Sequence, residues 1–271
     1  MEQSESSGSL VIVGTGICAF SQITAEARAH IEQSEKVLYL IADPAMESWI
    51  LKCNPTAESL DGFYQPGKDR LTTYHEMVER VLSCVHEGLN VCVADYGHPG
   101  FFAYPSHEVI RRASLEGFTA KMLPGVSSVD CLFADLGIDP GSHGCQIFEA
   151  TDFLVYKRKF DPYCSLILLQ IGLIGEMGYK ASIDVWNVNN LRVLAEVLSE
   201  HYGTSHEVVV YQAAHYSICD PIITTVPLTN LPEAKTITPI STLYVPSRAP
   251  ATPDIDMLNR LGIPLPHLRK K

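Results

Sequence analysis

A chain of 271 residues with 46% hydrophobic and 19% charged residues has the composition of one or two ordinary α/β domains and excludes disordered and fibrous classes. A formal net charge of −11 argues against nucleic-acid substrates, which require clustered Lys and Arg to neutralise phosphates. No tract is long and apolar enough to cross a bilayer, and the acidic start MEQSESSG lacks signal-peptide character, so a soluble, cytoplasmic protein with a flexible stretch over 1–8 is expected.

The first half alternates β-branched runs with helix-period segments, the pattern of a mostly parallel sheet covered by helices. SLVIVGTG reads as a buried strand entering a glycine turn, Thr24 as the N-cap of a helix through Ser34, and KVLYLIAD as a second strand. Asp43 then caps, and Pro44 enters, the helix PAMESWILK. Residues 53–69 are turn-rich, and a long helix follows from about Arg70 to His86 before Gly88 stops it. NVCVADYG is a third strand ending in the loop GHPGFF; a helix over 105–116, the strand FTAKML, the turn PGVSS and the helix VDCLFADLG follow. The second half reads as strands QIFEA, SLILLQIG, EVVVYQA, PIITTV and STLYVPS, with one clear helix at LRVLAEVLSEHYG. This change of texture near 141–152 predicts an N-terminal α/β lobe over 9–145, a C-terminal α/β lobe over 146–248 and a tail over 249–271 with room for one short helix. A cleft between such lobes is the expected place for a small-molecule site.

The eight cysteines are scattered without a CxxC pair, several inside apolar runs, and read as reduced core thiols. The ten histidines show no HExxH spacing, and no metal is expected. GTGICAF follows the first strand, yet a dinucleotide fingerprint needs a third glycine where Ala19 or Phe20 stands. A plain glycine turn leaving a strand explains it as well as a nucleotide site does.

DYGHPGFF, MLPGVSSVDCLFADLGIDP and LLQIG each end a strand in glycine or proline turns whose backbone can approach a ligand. Together and in this order they resemble the cofactor loops of tetrapyrrole methylases, the two-lobed α/β class III methyltransferases that bind S-adenosylmethionine in the interlobe cleft. The resemblance narrows to the borosin peptide α-N-methyltransferases, through SLVIVGTGI, VLYLIADP, FYQPGKDRLTTYHEM, YGHPGFF, FEATDFL, HEVVVYQA and PISTLYVP, over roughly residues 9–248. It implies cofactor contacts from Tyr96, His98, Phe101 and Ser128, with Gln170, Ala213, Ser241 and Thr242 on the adenine and ribose side. Phe101 stands where the fungal members of that family tend to have valine.

The long helix carries the chemistry. Tyr74, Met77, Val78, Val81, Leu82 and Val85 share one face by helical spacing, and Arg70 one turn earlier sets a guanidinium beside the phenol of Tyr74. Tyr64, just upstream, can close over the same place. The residues alone allow a core tyrosine with a snorkelling arginine or an acid–base apparatus. A peptide nitrogen is a poor nucleophile because its lone pair is delocalised into the carbonyl. A phenolate favoured by a guanidinium suits the removal of its proton, and the same cation stabilises charge on the amide oxygen. The resemblance puts Tyr64, Arg70 and Tyr74 on the catalytic positions.

The implied activity is α-N-methylation of backbone amides in a ribosomally made precursor peptide. The segment after Ala251 has three prolines and no apolar core-peptide stretch, so a split, bacterial-type arrangement is expected, with a separate precursor and a homodimer in a 2:2 complex. A small-molecule or tetrapyrrole methyltransferase of the same fold, an NAD-dependent oxidoreductase using GTGICAF, and a catalytically dead peptide-binding protein remain as alternatives.

Overall fold

The computed structural model describes residues 8–41, 43–176 and 187–265. The expected flexible start therefore lies outside the described residues except for Gly8, as does the basic end Arg269, Lys270 and Lys271. The chain forms two compact units. Among the described residues the first holds 8–134 with Glu176 and Ala213–Pro221, and the second holds 135–175, 187–212 and 222–265. The division thus falls earlier than the change of texture near residue 145. Asp135 already belongs to the second unit, where its carboxylate accepts a 2.6 Å hydrogen bond from the Tyr211 hydroxyl.

The first unit is built on β1 (Ser9–Gly14), β2 (Lys36–Leu40), β3 (Glu58–Ser59), β4 (Asn90–Asp95) and β5 (Thr119–Met122), a five-stranded sheet in the order β3-β2-β4-β1-β5. All its pairings are parallel. Alternation along β1 explains its double cover. Val11 and Val13 point into a cluster with Ala27 and Ile31 of helix α1 (Ala25–Gln33) and Met46 and Ile50 of α2 (Pro44–Cys53). Leu10 and Ile12 point the other way, into a cluster with Met77, Val81 and Leu82 of α3 (Arg70–His86) and Val109 and Ala113 of α4 (Tyr104–Leu115). Strands buried on both faces must read as continuous apolar runs, as β1, β2 and β4 do.

The caps read from sequence form. Thr24 accepts from the Ala27 N–H at 3.0 Å and Asp43 from the Met46 N–H at 2.8 Å. Asp69, not anticipated, caps α3 by accepting from the Thr72 N–H at 2.9 Å. On α3 the expected inward face is buried from Met77 to Val85, but Tyr74 is only half-buried and packs at its edge. Cys84, read from sequence as a helix-face thiol, is buried at 1% exposure with Arg80 Nη1 3.1 Å from its sulfur. All eight cysteines are free. Helix α5 (Ser128–Leu136) begins in the first unit.

The second unit has β6 (Cys145–Glu149), β7 (Ser165–Leu169), β8 (Glu207–Gln212), β9 (Ile222–Pro227) and β10 (Thr242–Val245) in the order β6-β7-β10-β8-β9. Only β6 and β7 pair in parallel. Its core joins Leu166, Leu168, Val208, Val210, Leu243 and Val245 to Leu191, Leu194 and Leu198 of α7 (Val188–Tyr202) and to Phe153 of the unanticipated helix α6 (Ala150–Val155). A short helix, α8 (Ile255–Leu261), forms in the tail behind its Asp254 cap.

After β7 the backbone comes too close for any side chain: a Cβ on Gly172 would lie 2.1 Å from the Thr238 carbonyl oxygen. Gly172→Ala is expected to lower unfolding stability in urea by about 1–3 kcal/mol, the usual cost of forcing atoms into a packed site. Gly62→Ala, where nothing lies within 4 Å of the added atom, is expected to change it by no more than about 0.5 kcal/mol.

Candidate active site

Tyr64, Arg70 and Tyr74 meet in the first unit. Tyr64 closes the 3-10 turn Asp61–Phe63 and hydrogen-bonds through its side chain to Tyr74 of α3. Both rings are half-buried against the apolar cluster under α3 and α4, beside Phe63. Arg70, the first residue of α3, is close enough to act on Tyr64 electrostatically. Lys68 locks the intervening turn, donating to the Phe63 carbonyl at 3.2 Å and pairing with Glu76 on α3.

The phenol of Tyr64 is pushed well above the ordinary range, first by burial and then by Tyr74 beside it. Arg70 pulls the other way and loses. At Tyr64 the guanidinium thus acts in the sense that favours a phenolate but is outweighed by burial. Sequence reasoning missed Tyr104, whose ring stacks on that of Tyr74 with centroids 6.0 Å apart and planes at 28°.

The loop residues sit at the carboxyl ends of β1 and β4. The connection from β1 through α1 leads across β4 to β2, whereas that from β4 through α4 leads across β1 to β5. Connections parting in opposite directions leave a crevice there, the place where open α/β sheets bind ligands. Thr15 N–H donates to the Asp95 carbonyl at 2.9 Å, and Gly16 and Gly97 exchange backbone hydrogen bonds of 3.2 and 3.0 Å. Gly97 has φ of +73°, and a Cβ on Gly14 would lie 2.2 Å from its carbonyl oxygen. Gln22 Oε1 accepts from the N–H groups of Ile17 and Cys18, each at 2.8 Å, so the first glycine loop is satisfied internally.

Tyr96 stacks on His215, with centroids 6.1 Å apart, and both line a shallow recess with Thr15, Ile41, Asp43 and Met46. His98 is tethered to its own loop, Nδ1 accepting from the Gly100 N–H at 2.9 Å, while His107 Nε2 donates to the Gly100 carbonyl at 2.9 Å. Phe101 packs edge-on against Phe102 at 5.0 Å. Ser128 opens α5 behind Ser127, whose N–H donates to Asp130 at 2.7 Å and whose hydroxyl accepts from the Asp130 N–H at 3.2 Å.

In the second unit Gln170 ends β7 in the left-handed region, φ +59° and ψ +38°, a conformation that non-glycine residues adopt at a cost. Ser241 holds this loop: its carbonyl accepts from the Ile171 N–H at 3.0 Å and its hydroxyl from the Thr238 N–H at 2.8 Å. Ser241 and Thr242 are buried, at 0% and 3% exposure. Ala213, just after β8, groups with the first unit and is buried.

Residues 9–231 match the family model of the tetrapyrrole (corrin/porphyrin) methylases. The chain belongs to that family. It is 41% identical over 259 residues to the methyltransferase/ribosomally synthesized cyclic peptide omphalotin A precursor of Omphalotus olearius, a match covering 94% of this chain and 62% of that protein. It is 40% identical over 247 residues to the methyltransferase/ribosomally synthesized type I borosin cyclic peptide precursor of Coprinopsis marcescibilis, covering 90% of this chain and 63% of that one. The chain thus spans less than two thirds of these relatives. The X-ray structure of cobalt precorrin-4 methyltransferase, a cobalamin biosynthetic enzyme, is similar with a TM-score of 0.63 at 18% identity, over 92% of this chain and 100% of that one, a likeness of fold. The α/β tetrapyrrole-methylase fold expected from the sequence is the fold found. Among the described residues no helix is long and apolar enough to cross a membrane, and no three His, Cys, Asp or Glu side chains converge as metal ligands do.

Asp95, at the end of β4, is 8% exposed and receives the Ser106 hydroxyl at 2.5 Å. Burial pushes its carboxyl up from 3.8 to about 6. The native state therefore holds this proton more tightly than the unfolded chain, and the stability it gives is full below about 3.8 and lost as pH rises to about 6. Asp95→Asn keeps an acceptor for Ser106 and removes the charge. Its unfolding free energy is expected to gain on the wild type as pH rises across that window and then to run parallel; equal slopes for both proteins contradict the assignment.

Proposed function

We propose that this methylase transfers a methyl group from S-adenosylmethionine to backbone amide nitrogens of a precursor peptide. The observation that carries the proposal is the meeting of two phenols and a guanidinium at Tyr64, Arg70 and Tyr74. A methyl transfer to an already nucleophilic small-molecule atom needs no such set, whereas an amide nitrogen does. The relatives, which join a methyltransferase to a cyclic peptide precursor, support the same reading.

Within the proposal, Tyr74 acts as the phenolate and takes the amide proton as the nitrogen bonds to the methyl group, whose bond to sulfur breaks to leave the neutral thioether. Tyr64, kept protonated by burial, donates to the Tyr74 oxygen and so steadies negative charge there. Arg70 places its cation where charge builds on the amide oxygen. S-adenosylmethionine, when bound, supplies an electrophilic methyl on its sulfonium. Candidates to hold it are Tyr96, His98, Phe101, Ser128 and Ala213 in the first unit, with Gln170 and Thr242 in the second. Ser241, with its polar groups committed to Thr238 and Ile171, acts by fixing the Gln170 loop. The fit rests on the left-handed Gln170, a conformation that costs a non-glycine residue stability and needs a reason, and on Gly97, whose φ of +73° turns the loop between Tyr96 and His98.

The first glycine loop disfavours a nicotinamide dinucleotide. The amides that would cradle a pyrophosphate, at Gly16, Ile17 and Cys18, already donate to Gly97 and Gln22. The proposal extends to a precursor supplied as a separate chain and to a homodimer pairing with two precursors, both supported by the borosin resemblance alone.

Tyr74→Phe is expected to lower the rate of methyl transfer by about a hundredfold, the scale of losing a general base, with cofactor affinity and melting temperature little changed. Arg70→Lys keeps the charge, loses the planar fork and is expected to fall between that variant and the wild type. Mass spectrometry of a precursor peptide added in trans, counting methyl additions over time, reads both, and a wild-type rate from Tyr74→Phe removes Tyr74 from the chemistry.

A further inference from the structure

Tyr104 has no part in the motifs, yet its surroundings are unusually well fixed. It is the first residue of α4, followed by Pro105, whose ring sets the backbone at the helix start, and by Ser106, whose hydroxyl is bound to the buried Asp95. Its ring stacks on Tyr74 with centroids 6.0 Å apart and planes at 28°. Its hydroxyl lies 3.2 Å from Nε2 of His75, the next residue on α3. Further along, Arg112 grips Glu79, with Nη2 to Oε2 at 3.3 Å, and His86 pairs with Glu116, so α3 and α4 cannot slide past one another. A ring that is 43% exposed has no comparable reason to be held so closely for the core alone.

We propose that Tyr104 is a positioning residue for Tyr74: by covering one face of that ring it keeps the Tyr74 hydroxyl turned to Tyr64. Tyr74 sits at the edge of the core, where one rotation about χ1 would swing its hydroxyl away from its partner. Stacking by a ring delivered from a second, rigid helix removes that freedom. The proposal rests on the proton-transfer reading of Tyr74 for its effect on rate, but not for its effect on the tyrosine pair.

Two measurements on the full chain separate these. The first needs no substrate: the protein is labelled at tyrosine Cζ, and the Tyr64 signal is assigned by its loss in Tyr64→Phe. Tyr104→Ala is expected to shift the Tyr64 signal at neutral pH as its hydrogen bond to Tyr74 loosens, whereas Tyr104→Phe, which keeps the stack, is expected to leave it in place. An unmoved Tyr64 signal in Tyr104→Ala overturns the proposal, whatever the enzyme does. The second measurement is methylation of a synthetic apolar peptide. Tyr104→Ala is expected to lower kcat about tenfold with KM within about twofold, the loss largely recovered in Tyr104→Phe and absent when Tyr74→Phe is already present. Additive losses in the double variant overturn it. If Tyr104→Ala does not fold, Tyr104→Leu takes its place in both arms. If the wild type methylates nothing, the functional reading fails and the spectroscopic arm still decides the role of Tyr104.

Discussion

The close approach of backbone at the carboxyl ends of β1, β4 and β5 is the constraint on which the rest of the first unit depends. Gly14, Gly97 and Gly125 meet so tightly that a Cβ on Gly14 or Gly125 would sit 2.2 or 2.8 Å from the Gly97 carbonyl oxygen. Hydrogen bonds between Gly16 and Gly97 and from Thr15 to Asp95 then weld two loops into one surface. Tyr96, His98 and Phe101, three of the candidates for ligand binding in that unit, hang from these loops. Tyr96 and His98 leave directly from the welded turn, and Asp95 beneath it reaches Ser106 and so sets the start of α4. Steric exclusion, rather than any one attraction, places the side chains.

The electrostatics of the tyrosine pair show why composition of a site is a poor guide to its balance. A guanidinium near a phenol suggests a phenolate, and Arg70 does act on Tyr64 in that sense. Burial opposes it, because a charged phenolate loses hydration while the half-exposed guanidinium is screened by water. At Tyr64 burial wins.

The sequence disclosed what local rules govern. Thr24 and Asp43 are favoured caps before apolar periods, and the helices they begin appear where expected. Helix α6 was not legible because Glu149, a poor capping residue, accepts from the Asp152 N–H at 2.6 Å, and its six residues are too few to show a period. The three residues of the tyrosine site were legible as a group through i, i+4 spacing and resemblance. Asp95 had a weaker signal, an acid closing an apolar strand. Tyr104 had none, since its tie to Tyr74 runs between helices far apart in sequence and only the register of α3 on α4 creates it.

Fold and chemistry are carried by different parts of the molecule. The strand-end loops belong to the architecture, which proteins of little sequence likeness share, and architecture alone does not choose a substrate. The edge of α3 is another matter, because nothing in the parallel sheet requires a tyrosine at 74, a second phenol at 64 or an arginine at the helix start. The apolar face of α3 is complete from Met77 onward without them. Polar groups added beyond the point where the core is closed, beside a turn held by the Lys68–Glu76 pair and under a stacked ring, are the residues on which the proposed chemistry rests.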